Sequence, residues 1–302
     1  MIPRAPVVER DLANKVKLSA LIITRNEERN LPQCLDCLQG ADDIVVLDSF
    51  STDQTVTSAR KLGARIFQRE FDNFARQKNW AIDNIDFRHQ WLLIVDADER
   101  VTPDLAREIK QVLSSSPDYD GYYIARKNMF AGKWIKHGGW YPDWQMRLIR
   151  LGNARYEDRI VHEHVILDGQ AGYLKNPLIH HDYKGVERYF DRHNVYSSME
   201  AVEIARSLNN CRKVDYISPK LIARGPSRRR YLKNLAYRYL PARPFFKFLW
   251  MYILKLGFLD GKIGFRFSML HAFYDYQISL KLLELKEKNS PLYEKYREYL
   301  EK

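Results

Sequence analysis

The sequence predicts an α/β fold: a mostly parallel sheet with helices on both faces, continued by a helical region toward the carboxyl end. Three observations carry this expectation. Short apolar runs alternate with helix-period segments over residues 18–125. The connections between them are short, which suits right-handed βαβ crossovers. From residue 184 the pattern turns mainly helical.

The elements follow in order. LSALIIT (18–24) is an apolar run suited to a buried parallel strand. A helix begins at Asn30, with Pro32 in its first turn, where a proline ring costs least. IVVL (44–47) is a second strand, and Ser51, Thr52 and Asp53 offer caps for the helix after it. ARIF (64–67) is a third strand, residues 73–85 a helix and WLLIV (91–95) a fourth strand. Thr102 caps a helix with Pro103 at its first position and Leu105, Ile109 and Val112 on one face. YYIA (122–125) closes the series. Residues 126–183, rich in Gly, Trp, Tyr and His, read as short strands and loops. In the helical region, Gly225-Pro226-Ser227 and Pro241 to Pro244 are breaks.

Composition narrows the function classes. Apolar residues make up 45% of the 302 and charged residues 29%, so a sizeable core is expected and disorder is not. The net charge of +11 is concentrated: Arg212 to Lys262 hold thirteen Lys or Arg against Asp215 and Asp260. Such a block points to a polyanionic partner. Three cysteines, Cys34, Cys37 and Cys211, suit a reducing compartment and make no disulfide framework. The Cys34–Cys37 pair lies in a helix among Leu31, Leu35 and Leu38, so both thiols are expected to pack inward. Residues 1–17 are polar, without a secretory apolar core. The most apolar stretch, Phe245 to Leu259, is interrupted by Lys247 and Lys255 and falls short of the roughly 20 residues of a membrane span.

In open α/β sheets ligands bind beyond the carboxyl ends of the strands. Thr24-Arg25-Asn26-Glu27 follow the first strand, Asp48-Ser49 the second and Asp96-Ala97-Asp98-Glu99 the fourth. Neither a GxGxxG nor a P-loop is present. An acidic rim repels a bare phosphate and holds a pyrophosphate only through a divalent cation. Asp96 and Asp98 point to one side in an extended segment, and their oxygens suit Mg2+ or Mn2+. Glu99 reads as structural and Asp53 as a cap.

ALIITRNEERNL, VVLDSFSTDQT and LLIVDADER resemble, in order and spacing, three motifs of the family 2 glycosyltransferases. FARQKNWAI is similar to the basic segment that precedes the family's DxD strand. GGWYPDWQMRLIR, IVHEH, IHHDY and GFLDGKIGF resemble a bacterial subgroup that includes lipopolysaccharide-core glucosyltransferases. The likeness spans most of residues 18–275 but lacks the ED-type base motif followed by QxxRW.

The resemblance implies a GT-A type catalytic domain over residues 18–183, after an extension at 1–17 and before a basic, membrane-docking helical region at 184–302. It implies an inverting transfer from a nucleotide-sugar donor, a UDP-sugar above all, to a glycolipid or other lipid-linked glycan. Thr24, Arg25 and Glu27 would line the nucleoside pocket, and Asp48 would accept from the base. Gln77 and Lys78 would lie near the nucleotide. Asp96 would bind on the ribose or sugar side, and Asp98 would bind the metal, with His180 as a second ligand or else a loop histidine. Glu163 would be the general base, with Glu157 and Asp158 as alternatives. Trp140, Tyr141 and Trp144 would stack on sugar faces, the first two as acceptor contacts, or pack within a loop-rich region. Arg147 and Arg150 alternate with Leu148 on a strand, and one of them, Arg147 as the acceptor-binding candidate, would reach the diphosphate or an acceptor phosphate.

Arg228 to Arg230 and Lys233 interleave with Tyr231, Leu232, Leu235, Tyr237 and Tyr239 ahead of FFKFLWMYILKLGFL. Basic residues beside aliphatic and aromatic ones describe an interfacial helix on an anionic membrane. The expected location is therefore the cytoplasmic face of the plasma membrane. No nucleic-acid signature accompanies the charge. A sugar nucleotidyltransferase would share the sheet and the acids but open on a Gly-rich basic loop, which TRNEE is not. A non-catalytic polyanion-binding protein is the reading from another class.

Overall fold

A computed structural model describes residues 15–115, 117–158, 164–181, 185–208, 235, 237, 240 and 242–301. The first half alternates as expected, β1 (Val16–Thr24), α1 (Leu31–Asp36), β2 (Ala41–Asp48), α2 (Thr55–Lys61), β3 (Arg65–Gln68), α3 (Phe74–Asn84), β4 (Trp91–Asp96) and α4 (Pro103–Ser114), with one strand that was not expected, β5 (Glu99–Val101), between β4 and α4. Then come β6 (Gly121–Phe130), β7 (Lys133–Trp134), β8 (Asp143–Arg150), β9 (Ala154–Tyr156), β10 (Val165–Leu167), β11 (Ala171–Tyr173) and β12 (Leu178–His180).

Local chemistry explains the helix starts. The Thr102 side chain accepts from Leu105 N at 3.2 Å, and Pro103 occupies the first helical position, where its missing N–H costs nothing. Asn73 does the same for α3, accepting from Arg76 N at 2.8 Å. Asp53 accepts from Thr55 N and from Glu28 N, tying the β2–α2 loop to the β1–α1 loop.

The main sheet runs β3-β2-β1-β4-β8-β6-β12-β5. Successive side chains of a strand face opposite sides. Accordingly Ala20 and Ile22 of β1 join one core with Leu31 and Leu35 of α1 and with Leu105 and Ile109 of α4. Leu21 joins the other, with Val45, Leu47 and Ala75 and Ala81 of α3. Helices therefore cover both faces. The sheet departs from a purely parallel one at β8, at the β12–β5 edge and at the β6–β7 hairpin. β8 lies between β4 and β6, antiparallel to both, after the chain reverses beyond β7. A local reversal brings β8 beside β6 with a short loop to close, and β8 then takes the exposed edge of β4. Of the two cysteines at α1, Cys34 is buried and Cys37, at the helix end, is half-buried.

The carboxyl region holds α5 (Gly185–Leu208), α6 (Arg243–Leu249), a π-helical turn (Trp250–Leu254), a 3₁₀ turn (Gly257–Asp260), α7 (Gly261–Glu284) and α8 (Pro291–Leu300). Ala201 and Val202 of α5, Ile278 of α7 and Tyr296 of α8 form its core. Gly225-Pro226-Ser227 and the Arg228–Lys233 cluster lie outside the described residues. Among those described, no helix is long and apolar enough to cross a membrane.

Asp260 is the joint between the two parts. Its buried carboxylate accepts from His137 N and pairs with His137 Nδ1, both at 2.9 Å, and its carbonyl accepts from Lys133 Nζ. Ile135, Met251 and Phe267 pack beside it.

Candidate active site

The ends of β1, β2 and β4 open on one cavity of about 1760 Å3, closed on its far side by α5, α6 and α7. Parallel pairing sets Thr24 opposite Asp48 and Ile23 opposite Asp96, so the three strand-end segments share a rim.

Asp48 is buried beneath that rim. Its carboxylate accepts from Thr24 Oγ1 at 3.0 Å, from Ser51 N at 2.8 Å, from the Ser51 hydroxyl and from Gln68 Nε2. These bonds anchor the loop that carries Ser49 into the cavity wall. Thr24, Arg25, Glu27, Gln77 and Lys78 line the cavity. Arg25 is exposed there. Glu27 accepts from Asn30 Nδ2, and its backbone N–H donates to Thr55 Oγ1. Gln77 donates to Ser49 Oγ at 2.9 Å. Lys78 is buried with its ammonium 4.7 Å from the centre of the Tyr156 ring.

Arg147 lines the cavity but is buried, with its guanidinium turned to two acids. Nη2 donates to Asp96 Oδ2 at 2.5 Å and to Glu99 Oε1 at 2.6 Å. The other Glu99 oxygen accepts from Asp96 N at 3.0 Å. Arg126 adds a contact to Glu99 and pairs with Asp143 at 2.8 Å. Burial alone would raise the Asp96 carboxyl; the charges of Arg147 and Lys78 overcome it and hold the group below the usual carboxylate range. Asp96 is thus ionised and clamped. Glu99 is structural, as expected. Arg150, at the other end of β8, lies near Asp120 and away from the rim.

Asp98 faces His180. Nε2 of the imidazole lies 3.2 Å from Asp98 Oδ2, and Nδ1 lies 3.0 Å from Asn128 Oδ1. Parallel pairing of β12 with β6 puts His180 opposite Asn128. Nδ1 donates to Asn128 and fixes the ring so that Nε2 donates to the Asp98 carboxylate; a cation held by both groups would take the place of that Nε2 proton. Burial opposes ionisation of both groups, but each charge outweighs it on the other: Asp98 is lowered and His180 raised. Among the described residues no group of three or more His, Cys, Asp or Glu could hold a metal. Asp98 and His180 make a two-ligand set that fits a cation also held by a diphosphate and water.

The remaining expected residues are dispersed. Trp140 lines the cavity but packs on His271 and Phe267, with ring centres 4.3 and 5.3 Å away. Tyr141, before a cis Pro142, packs edge-on against Trp134, 5.1 Å away. Glu163 and His162 lie outside the described residues. Glu157 is fully buried, and Asp158 pairs with Arg76 at 3.1 Å. Sequence reasoning missed Arg126 and Asn128, whose spacing of two on β6 was a usable signal. It also missed Tyr189, His193 and His271, which reach the cavity from helices distant in the chain.

The likenesses to known proteins agree with this layout. A lipopolysaccharide core biosynthesis glycosyltransferase, LpsC, of Rhizobium meliloti (strain 1021) is 29% identical over 194 residues, 62% of this chain and 71% of that protein. An uncharacterized glycosyltransferase of Rickettsia bellii (strain RML369-C) is 25% identical over 289 residues, 91% of this chain and 89% of that one. Among solved structures, S. aureus TarS 1-349 aligns over 94% of this chain and 92% of its own, at 14% identity and a TM-score of 0.42. The mostly parallel sheet with helices on both faces, followed by a helical region, is the fold class that the sequence predicts. The model of glycosyl transferase family 2 matches residues 19–179, more than half of the chain, and the protein belongs to that family.

Proposed function

We propose that this glycosyltransferase moves a sugar from a UDP-sugar to a lipid-linked or lipopolysaccharide-core glycan, with inversion and with the help of Mg2+ or Mn2+. The observation that carries this is the Asp98–His180 pair beside a clamped, ionised Asp96, all facing one cavity. The name of the Rhizobium relative supports the choice of acceptor. In this reading residues 18–183 are the catalytic unit and residues 184–302 hold the protein to the cytoplasmic face of an anionic membrane.

Asp98 and His180 would hold the cation, which when bound neutralises charge on the leaving diphosphate. Thr24, Arg25 and Glu27 would frame the nucleoside, with Asp48 shaping the pocket from beneath. Lys78, buried against Tyr156, and Gln77 would sit beside the nucleotide. Asp96 would accept from a ribose or sugar hydroxyl, its orientation set by Arg147. A single displacement needs one base to take the acceptor hydroxyl's proton. Glu163 takes that part in this reading, on the resemblance of its VHE segment; of the alternatives, Glu157 is buried and Asp158 pairs with Arg76.

The test is binding and slow hydrolysis across a panel of nucleotide sugars, with Mn2+, Mg2+ or EDTA. Metal-dependent binding of a UDP-sugar, lost in Asp98→Ala, is expected. Metal-independent behaviour with every donor would overturn the reading.

A further inference from the structure

The helical region presents an apolar surface to solvent. On α7, Phe265, Met269, Phe273, Tyr276, Leu280 and Leu283 are all exposed. At about 100° per residue they fall within roughly 80° of arc, a stripe about 27 Å long. Away from the stripe α7 carries Phe267, Asp275 and Ile278, buried on the rest of the molecule. α6 and the two turns extend the surface: Phe245, Trp250, Ile253, Leu254, Phe258 and Leu259 are each about half exposed or more. The two segments are continuous. Tyr252 packs on both Phe258 and Phe265, and Phe248 packs on Phe265 at 5.6 Å.

Over α6, the two turns and the first half of α7 the exposed charges have one sign. Between residues 243 and 274 the only acid is Asp260, and it is buried against His137. Lys255, Lys262 and Arg266 are exposed. An apolar patch whose charges over α6, the two turns and the first half of α7 are cations suits an anionic lipid surface, where acyl chains meet the apolar stripe and headgroups meet that rim. A second copy of the chain would set cation against cation. The patch also touches the catalytic cavity: Lys247, Phe265, Arg266 and Met269 line the space that holds Asp96 and Asp98.

We propose that the face formed by α6, the two turns and the exposed stripe of α7 embeds in the headgroup–acyl boundary of an anionic membrane, with the catalytic cavity opening beside it. This deepens, and rests on, the reading of the site as one acting on a lipid-linked acceptor. It assigns the docking to a folded apolar face of named residues and adds an orientation.

The full-length chain is sedimented with vesicles of phosphatidylcholine alone and of phosphatidylcholine with phosphatidylglycerol, and UDP-sugar binding with Mn2+ is measured without lipid. Wild type is expected to sediment with the anionic vesicles. A Phe245→Ser, Trp250→Ser, Leu254→Ser variant is expected to lose roughly tenfold or more in partitioning. Lys255→Glu with Lys262→Glu is expected to lose roughly tenfold as well, on the anionic vesicles only. Brominated phospholipid should quench tryptophan fluorescence, and Trp250→Phe should remove that quenching while the protein still sediments. Donor binding equal to wild type shows that each variant is folded. Metal-dependent donor binding without vesicle binding overturns the docking face and leaves the site reading intact. Vesicle binding without donor binding supports the face and fails the site reading. Triple-variant binding equal to wild type, or a dimer that the same substitutions disperse in the absence of lipid binding, overturns the proposal.

Discussion

Arg147 on β8 and Asp96 at the end of β4 meet at 2.5 Å under the floor of the cavity, with Glu99 fixed by the same guanidinium. The antiparallel register, Leu93 opposite Leu148, is what brings them together. The acid of the DxD segment is therefore oriented from a strand more than fifty residues away in sequence. Removing the guanidinium strands the buried Glu99 charge. Arg147→Met is expected to cost about 3–5 kcal/mol of stability, as for other broken buried pairs. Arg147→Lys, which keeps the charge but not the fork, should cost less. Denaturant unfolding of both variants checks the ranking; equal stability to wild type would remove the clamp from the account.

Asn128 holds the ring of His180 at 3.0 Å. Loss of a ligand's orienting partner commonly weakens a metal site by about 10–100-fold. Asn128→Ala is expected to weaken Mn2+-dependent UDP binding by that factor, and His180→Ala by more. Titration calorimetry with and without metal reads it. A metal-independent loss would point to a damaged pocket instead.

Asp43 lies buried at the opposite end of the sheet from the rim. It accepts from Ser19 Oγ, Arg65 and Arg88 N. Burial would raise its carboxyl, but the Arg88 N–H bond, Arg65 and Ser19 bring it below its ordinary value. A depressed folded pKa makes its contribution complete above the unfolded value of about 4 and lost as pH falls through the folded value. Wild type should therefore lose stability below about pH 4 more steeply than Asp43→Asn, which lacks this contribution. Unfolding midpoints taken through the acid range, at fixed salt, give the comparison.

Gly264 lets the first turn of α7 close on the 3₁₀ turn. A Cβ there would stand 2.0 Å from the carbonyl oxygen of Gly257. Gly264→Ala is expected to destabilise by about 1–3 kcal/mol, in the range of overpacked cores. The strain falls where Asp260 joins the two parts, so a thermal scan should show the loss while Gly152→Ala, in open space but at positive φ, should show a smaller one.

Cys34 is buried, and burial raises its thiol well above the ordinary value. The native protein is expected to resist alkylation at Cys34 near neutral pH, and mass spectrometry of the labelled protein should find it modified only after denaturation. Rapid native labelling at this position would show that the thiol is not packed inward.

The first half of the fold could be read directly from the chain. Strand runs such as LSALIIT, the Thr102–Pro103 helix start and the three acidic or polar strand ends are local, and a backbone period or a cap depends only on near neighbours. The Asp96–Asp98 spacing and the place of the cavity follow from the same local logic joined to the strand-end rule. Other features needed the assembled chain. The insertion of β8 beside β4, the seizure of Arg147 by Asp96 and Glu99, the His180–Asn128 pair and the cavity wall from α5 and α7 all join residues far apart in sequence. So does the choice of which side of α7 is covered, since both sides carry apolar residues and only packing against α5 and α6 buries one of them. Strand order and register are set by which long loops close and which faces bury together. That is a global competition between chain entropy and packing, and no short window of sequence records its outcome.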